Sequence, residues 1–135
     1  MAGLLVNIDV PDLAAGEAFY TRAFGLRPGR RMGDDFLELV GLDAPIYLLR
    51  KDAGSEPVPA SGEARHYSRH WSPIHPDIAV DDLDAATARA LDAGATLEVP
   101  ACDAPYGRIA MFADPFGHGF CLIEFNAQGY DALAR

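Results

Sequence analysis

The chain has 135 residues, half of them apolar, which is enough for one domain with a sizeable core and too few for two ordinary domains. Its 20 acidic and 11 basic side chains give a net charge of −9, which repels nucleic acid phosphates and anionic membranes. No apolar run is long enough to span a bilayer, and the N-terminus lacks the features of a secretory signal. The two cysteines form no CxxC motif, so we expect a cytoplasmic protein that binds neither nucleic acid nor membrane.

The first half of the chain predicts one helix that lies between a strand and three further strands. The first strand ends at Val10, and Asp12 is a suitable helix N-cap, because its carboxylate accepts hydrogen bonds from the unpaired N–H groups of a first turn. We expect the helix to run from about Leu13 to Phe24, and Gly25 is placed to end it in the left-handed conformation. Three strand candidates follow, near Arg27–Met32, Phe36–Val40 and Ile46–Leu49.

The second half repeats this order after 70 residues, since Val10-Pro11-Asp12-Leu13 recurs as Val80-Asp81-Asp82-Leu83. The repeat predicts a second helix from about Leu83 to Ala93, capped by Asp82 and ended by Gly94. Three strand candidates follow it, near Thr96–Val99, Arg108–Phe112 and Phe120–Phe125. The segment Asp114-Pro115-Phe116-Gly117 has the Pro and Gly positions of a tight turn and is predicted to join the last two strands.

We therefore expect a single domain made of two similar modules. The first module covers about residues 1–50 and the second about residues 71–127, followed by a tail at 128–135. Residues 51–70 contain several Pro, Gly and Ser residues, a composition that is typical of a linker. Trp71 is expected to anchor the core of the second module, with stacking on a flat ligand as the alternative.

The order and spacing of these motifs resemble the vicinal oxygen chelate superfamily, which includes glyoxalase I, bleomycin-resistance proteins, fosfomycin-resistance enzymes and extradiol dioxygenases. The matching segments are Val10–Leu13, Phe19–Leu26, Ile78–Leu83 and Asp114–Glu124. The resemblance implies an α+β fold in which two tandem βαβββ modules form a U-shaped, eight-stranded mixed sheet around a cavity. A homodimer is common in family members of this size, so the resemblance also implies a second copy of the chain as a partner.

The resemblance further implies where a metal would bind. Enzymes of the superfamily usually hold a divalent metal with four side chains, from the first and fourth strands of each module. In this sequence the four positions are Leu5, Tyr47, His75 and Cys121. Leu5 cannot bind a metal, and most catalytic centres need at least three protein ligands. We therefore predict no metal cofactor, and the alternative is a His75–Cys121 pair helped by Tyr47 or Asp77.

The alternation of side chains along the strands predicts which of them face the cavity. Ile78 and Val80 suit the face that a helix covers, so His75 and Asp77 are expected on the opposite face. Polar side chains are costly there unless they meet water, a partner or a ligand, which indicates a solvated cavity. The same alternation in the first module places three residues on the corresponding face, namely Leu5, Asn7 and Asp9.

Arg108 shares one face of its strand with Ala110 and Phe112, and the sequence leaves open which face that is. Inside the cavity Arg108 would be a fixed cation for a carboxylate or phosphate, and outside it would be a surface arginine. The residues that we predict to contact a ligand are Asn7, Tyr47, His75, Asp77, Arg108 and Cys121. His75 is also the candidate catalytic residue, because histidine ordinarily titrates near neutrality and can act as a general base.

Three functions are compatible with this pattern. The first is a binding protein that, like the bleomycin-resistance proteins, holds a small organic molecule without a metal, as the missing ligands suggest. The second is an enzyme of the lyase, dioxygenase or resistance-transferase type, which would use an atypical metal site or His75 as an acid–base group. The third is a non-catalytic interaction module. The metal content of the purified protein distinguishes the first function from a metal-dependent enzyme.

Overall fold

The two halves of the chain fold as the same unit, a strand and a helix followed by three strands, in a computed structural model that describes all 135 residues. The chain divides into two compact units, Met1–Ser68 and Arg69–Arg135, which we call module 1 and module 2. Module 1 contains β1 (Val6–Val10), α1 (Leu13–Phe24), β2 (Arg27–Arg31), β3 (Phe36–Val40) and β4 (Ile46–Arg50). Module 2 contains β5 (Asp77–Ala79), α2 (Leu83–Ala93), β6 (Thr96–Ala104), β7 (Gly107–Ala113), β8 (Gly119–Phe125) and a 3-10 helix (Gly129–Leu133).

Each module has one four-stranded mixed sheet, with strand order β1-β4-β3-β2 in module 1 and β5-β8-β7-β6 in module 2. The first strand of each module pairs in parallel with the fourth, and the other pairs are antiparallel. The registers also correspond, because Ile8 pairs with Leu48 and Ile78 pairs with Leu122. The predicted α+β fold of two tandem βαβββ modules is confirmed.

Both helices begin and end where the sequence predicts. The side chain of Asp12 accepts a hydrogen bond from the backbone N–H of Ala15 over 3.0 Å, and Gly25 adopts the left-handed conformation with φ of 66°. In module 2, Asp82 caps the first turn in the same way. Because these capping interactions involve only neighbouring residues, the repeat predicts them in both modules.

One face of each sheet packs against the helix of its module. In module 1 this face carries Leu37 and Leu48, and Gly16 of α1 lies so near the sheet that an added Cβ would be 3.2 Å from Leu48. In module 2 the same face carries Ala110 and Leu122, which are fully buried. We call the opposite face of each sheet the open face. It carries the alternate residues of every strand.

Two strands of module 2 differ in length from the prediction. The regular part of β5 begins only at Asp77, because Pro76 has no N–H to donate to a ladder, although its carbonyl accepts from the N–H of Cys121 over 3.0 Å. Strand β6 continues beyond Val99 to Ala104. It lies at the edge of the sheet and has two register shifts, which is where a strand tolerates a residue such as Pro100.

The segment predicted as a linker is folded against module 1 as far as Ser68. Its backbone closes on itself, since the N–H of Gly54 donates to the carbonyl of Arg65 and the N–H of Arg65 donates to the carbonyl of Ser55. The Arg65 guanidinium forms an ion pair of 2.9 Å with Asp9 of β1. These contacts hold residues 51–68 in place. Neither helix is long and apolar enough to cross a membrane.

Candidate functional site

Three side chains that can carry protons or bind ligands meet on the open face of module 2. Asp77 of β5 lies directly opposite Cys121 of β8 in the sheet. His75 lies two residues before Asp77 in the chain, and its side chain reaches that of Asp77. The Nδ1 atom of His75 lies 3.0 Å from Oδ1 of Asp77 and forms a hydrogen bond with it. One donor atom from each of the three residues lies within 4.8 Å of the others. The structure therefore brings together three of the predicted site residues.

The three side chains differ in their access to water. Cys121 is buried, whereas the side chains of His75 and Asp77 are 29% and 35% exposed. Burial, together with the negative charge of Asp77, raises the pKa of the Cys121 thiol to about 11. At neutral pH Cys121 is therefore an uncharged thiol. It forms an apolar wall beside a hydrogen-bonded histidine–carboxylate pair, and it is a poor nucleophile.

An exposed aromatic ring lies beside this group. The indole of Trp71 is 58% exposed, and its centroid lies 5.1 Å from that of the His75 ring at an angle of 42°. The prediction that Trp71 anchors the core is wrong, because more than half of its side chain is exposed. Across the sheet, Met111 of β7 lies opposite Cys121. The open face of module 2 thus offers an aromatic ring, a thioether and a polar pair.

The equivalent positions of module 1 carry a different network. Asn7 pairs with Tyr47 as Asp77 pairs with Cys121, so the sheet register supports the equivalence of Tyr47 and Cys121 that the family resemblance implies. The Tyr47 hydroxyl donates to Oε2 of Glu38 over 3.0 Å and accepts a hydrogen bond from Nη2 of Arg30 over 3.1 Å. Glu38 and Arg30 were not among the predicted site residues.

Arg30 and Glu38 of this network stabilise each other in their charged forms. The Glu38 carboxylate accepts two hydrogen bonds from the Arg30 guanidinium, of 3.0 and 2.6 Å. These bonds, with further ones from the Arg30 backbone and from Tyr47, lower the pKa of Glu38 to about 2. The same contacts raise the pKa of Arg30. The pair is ionised over the whole physiological range, so Glu38 cannot act as a base near neutrality.

The remaining predicted residues lie apart from these groups. Arg108 is on the helix-covered face, where its Nη2 atom binds Oδ1 of Asp84 in the first turn of α2 over 3.1 Å. Of the two alternatives for Arg108, the structure therefore favours the one outside the site. Leu5 precedes β1 and is 59% exposed, and it offers no donor atom. Asn7 is exposed and lies opposite Tyr47 on the open face of module 1.

The four-ligand metal set of the superfamily does not fit these residues. Leu5 has no ligand atom, and the hydroxyl of Tyr47 is already engaged with Glu38 and Arg30. What remains is the imidazole of His75 and the thiol of Cys121, whose pKa is raised to about 11. Asp77 lies close enough to add a third donor, within the 4.8 Å that encloses the group. Any metal bound there would depend on a donor set that differs from that of the superfamily.

Comparison with known proteins identifies the family. The family model described as a glyoxalase-like domain matches residues 5–123. The chain is 32% identical over 131 residues to the anthracycline biosynthesis protein DnrV of Streptomyces peucetius, covering 96% of this chain and 43% of DnrV. The chain thus spans less than half the length of that relative.

Solved structures show the same fold. A glyoxalase/bleomycin resistance protein/dioxygenase family enzyme from Burkholderia phytofirmans has a TM-score of 0.73 and 22% identity, over 93% of this chain and all of that one. The antibiotic-binding protein TnmS3 from a Streptomyces species has a TM-score of 0.65 and 23% identity, over 93% of this chain and 97% of that one. The chain belongs to the glyoxalase-like family, and its resemblance to the vicinal oxygen chelate superfamily is confirmed.

Proposed function

We propose that this glyoxalase-like protein binds a small organic molecule on the open face of module 2 and that it does so without a catalytic metal. The observation that carries the proposal is the combination of His75 and Asp77, a hydrogen-bonded pair of 3.0 Å, with the buried thiol of Cys121. Such a surface, mostly apolar with a few fixed polar groups, is typical of small-molecule sites. The neutral thiol adds a polarisable wall, and in its uncharged form it is a poor nucleophile.

The ligand that we propose is a planar aromatic compound of the anthracycline type. The exposed indole of Trp71 beside His75 offers a surface on which a flat ring system can stack. The names of two similar proteins, an anthracycline biosynthesis protein and an antibiotic-binding protein, agree with that class of ligand. From the family resemblance we also propose that the protein forms a homodimer. We propose a cytoplasmic location as well, because Cys102 and Cys121 form no disulfide.

The proposal is tested by titrating the protein with doxorubicin, a fluorescent anthracycline, and following the quenching of its emission. We expect saturable binding, and we expect His75→Ala to weaken it about three- to tenfold through loss of a hydrogen bond and a stacking partner. The matched control is His66→Ala, which removes an exposed histidine of module 1. If the wild type shows no saturable binding, or if both variants bind like the wild type, the proposed site is wrong.

The absence of a catalytic metal is tested separately. Protein purified without a chelator is analysed by mass spectrometry for zinc, nickel, manganese and iron. We expect far less than one metal ion per chain. A stoichiometric metal that is lost in the His75→Ala and Cys121→Ala variants would overturn this part of the proposal.

A second candidate function is an enzyme that uses His75 as a general base, and one observation favours it. The bond between Nδ1 of His75 and the Asp77 carboxylate, 3.0 Å long, fixes the orientation of the ring, as a general base requires. The three neighbouring donor atoms of His75, Asp77 and Cys121 also admit an atypical metal site. Conversion of the bound probe, followed by liquid chromatography, with loss of turnover in Asp77→Asn at unchanged binding, would favour the enzyme.

A further inference from the structure

A β-bulge in module 1 places an arginine on the open face. Pro28 pairs with Leu39 and Arg31 pairs with Leu37, so two residues of β2, Gly29 and Arg30, lie opposite the single residue Glu38 of β3. A bulge of this kind redirects the side chains that follow it. Arg31 consequently binds Glu17 of α1 over 2.6 Å on the helix-covered side, whereas Arg30 binds Glu38 on the open face.

The residues around the bulge hold Arg30 in one position. Glu38 accepts hydrogen bonds from the backbone N–H, Nε and Nη2 of Arg30, and a fourth from Tyr47. Gly29 makes this arrangement feasible, because a Cβ at that position would lie 2.6 Å from Oε1 of Glu38. These hydrogen bonds hold the guanidinium in place before any ligand binds, so little side-chain entropy is lost when a ligand contacts it.

Part of the fixed guanidinium remains available. The Arg30 side chain is 71% exposed, while that of Glu38 is only 12% exposed. The Nε and Nη2 atoms are engaged by Glu38 and Tyr47, and the Nη1 atom has no partner within the protein. The ring of Phe36 lies 5.5 Å from that of Tyr47, so aromatic surface adjoins the polar group. The open face of module 1 thus offers two N–H donors beside aromatic rings.

We infer that Arg30 is a specificity-determining residue that donates hydrogen bonds from Nη1 to the ring carbonyl of a neutral aromatic ligand. The charge of Glu38 cancels that of Arg30, so a free carboxylate or phosphate would meet a carboxylate beside its donor. A carbonyl oxygen accepts the same hydrogen bonds and carries no net charge. This inference rests on the proposed binding of an aromatic molecule, and it concerns only the open face of module 1, where Arg30 lies beside the rings of Tyr47 and Phe36.

The test compares acridone with acridine, which share three fused rings and differ by one ring carbonyl. Binding of each probe is measured by fluorescence in the full-length protein. We expect the wild type to bind acridone about tenfold more tightly than acridine, since the added hydrogen bond has a charged donor. Arg30→Met should abolish this preference and leave the affinity for acridine unchanged. The matched control is Arg31→Met, which removes the neighbouring arginine from the other side of the sheet and should keep the preference.

A second variant guards against an unfolded protein. Arg30→Met leaves the Glu38 carboxylate without its main partner, so the double variant Arg30→Met/Glu38→Gln is measured alongside it and should also lose the preference. Two outcomes would overturn the role of Arg30 and leave the proposed function standing. One is equal affinity of the wild type for acridone and acridine, and the other is a preference for acridone that persists in folded Arg30→Met or in the double variant. If neither acridone, acridine nor doxorubicin binds the wild type, the proposed function fails, and the role of Arg30 fails with it.

Discussion

The thiol of Cys121 should react with alkylating reagents much more slowly in the folded protein than in the unfolded chain. Burial and the nearby Asp77 charge raise its pKa from the ordinary value of 9.0 to about 11. Only the thiolate attacks an alkylating reagent, and two pKa units correspond to a factor of about 100 in thiolate concentration at pH 8. Restricted access to a buried sulfur slows the reaction further. We therefore expect a rate at least about 100-fold below that of the denatured protein.

The rate is measured by treating native and denatured protein with iodoacetamide at pH 8 and counting the modified peptides by mass spectrometry. Cys102 is exposed and provides an internal reference, because it should react at similar rates in both samples. As the pH rises, the rate of alkylation of native Cys121 should increase with the fraction of thiolate, which reaches one half at a pH of about 11.

Substitution of Asp77 separates the two causes of the shift. Burial is the larger cause, so Asp77→Asn should lower the pKa of Cys121 only in part and accelerate its alkylation a few-fold. Asp81→Asn removes the same charge from an exposed position after β5 and should change little. Alkylation of native Cys121 at the rate of the denatured chain would refute the reasoning, because a thiol that reacts so readily is a nucleophile or a metal ligand and not part of a wall.

Two further predictions concern stability. Gly107→Ala should destabilise the fold by about 3 kcal/mol or more, because φ at Gly107 is +142° and an added Cβ would lie 1.9 Å from the carbonyl oxygen of Glu124. The control is Gly54→Ala, where φ is +86° and no atom lies within 4 Å of the added Cβ. In thermal melting the control should lose much less stability than Gly107→Ala. Because the Arg30 guanidinium lowers the pKa of Glu38 from 4.5 to about 2, its ionised form stabilises the folded state above pH 4.5, and that contribution is lost as the pH falls towards 2. Glu38→Gln should therefore lose less stability than the wild type over this acid range in urea titrations, and an equal loss would contradict the assignment.

Features that depend on neighbouring residues or on the repeat could be predicted from the sequence. The N-caps Asp12 and Asp82 act within one turn of their helices, so their identity alone locates both helix starts. The equivalence of Tyr47 and Cys121, which the family resemblance implies, agrees with the strand registers. Alternation along β5 likewise places Asp77 and Ile78 on opposite faces of the sheet, because successive side chains of a strand point in opposite directions.

Features that depend on pairing between strands could not be predicted. Arg108 could be assigned to neither face, because a shift of one residue in register reverses every side chain of a strand. Arg30 was missed because its direction follows from the bulge opposite Glu38, and a bulge is defined only once two strands are paired. One signal was present in the sequence: Glu38 lies between Leu37 and Leu39, which alternation directs to the buried face.

The two modules show how one backbone can support two kinds of chemistry. At equivalent positions of the same sheet register, module 1 carries Tyr47 and module 2 carries Cys121. The network around Tyr47 consists of a guanidinium and a carboxylate that stay ionised far from neutral pH, so it can orient a ligand and cannot exchange protons with it. The group around Cys121 includes His75, a residue type that can accept and donate protons in general acid–base chemistry. Variants of module 1 should therefore be assayed for ligand selectivity, and variants of module 2 for binding strength and for any proton transfer.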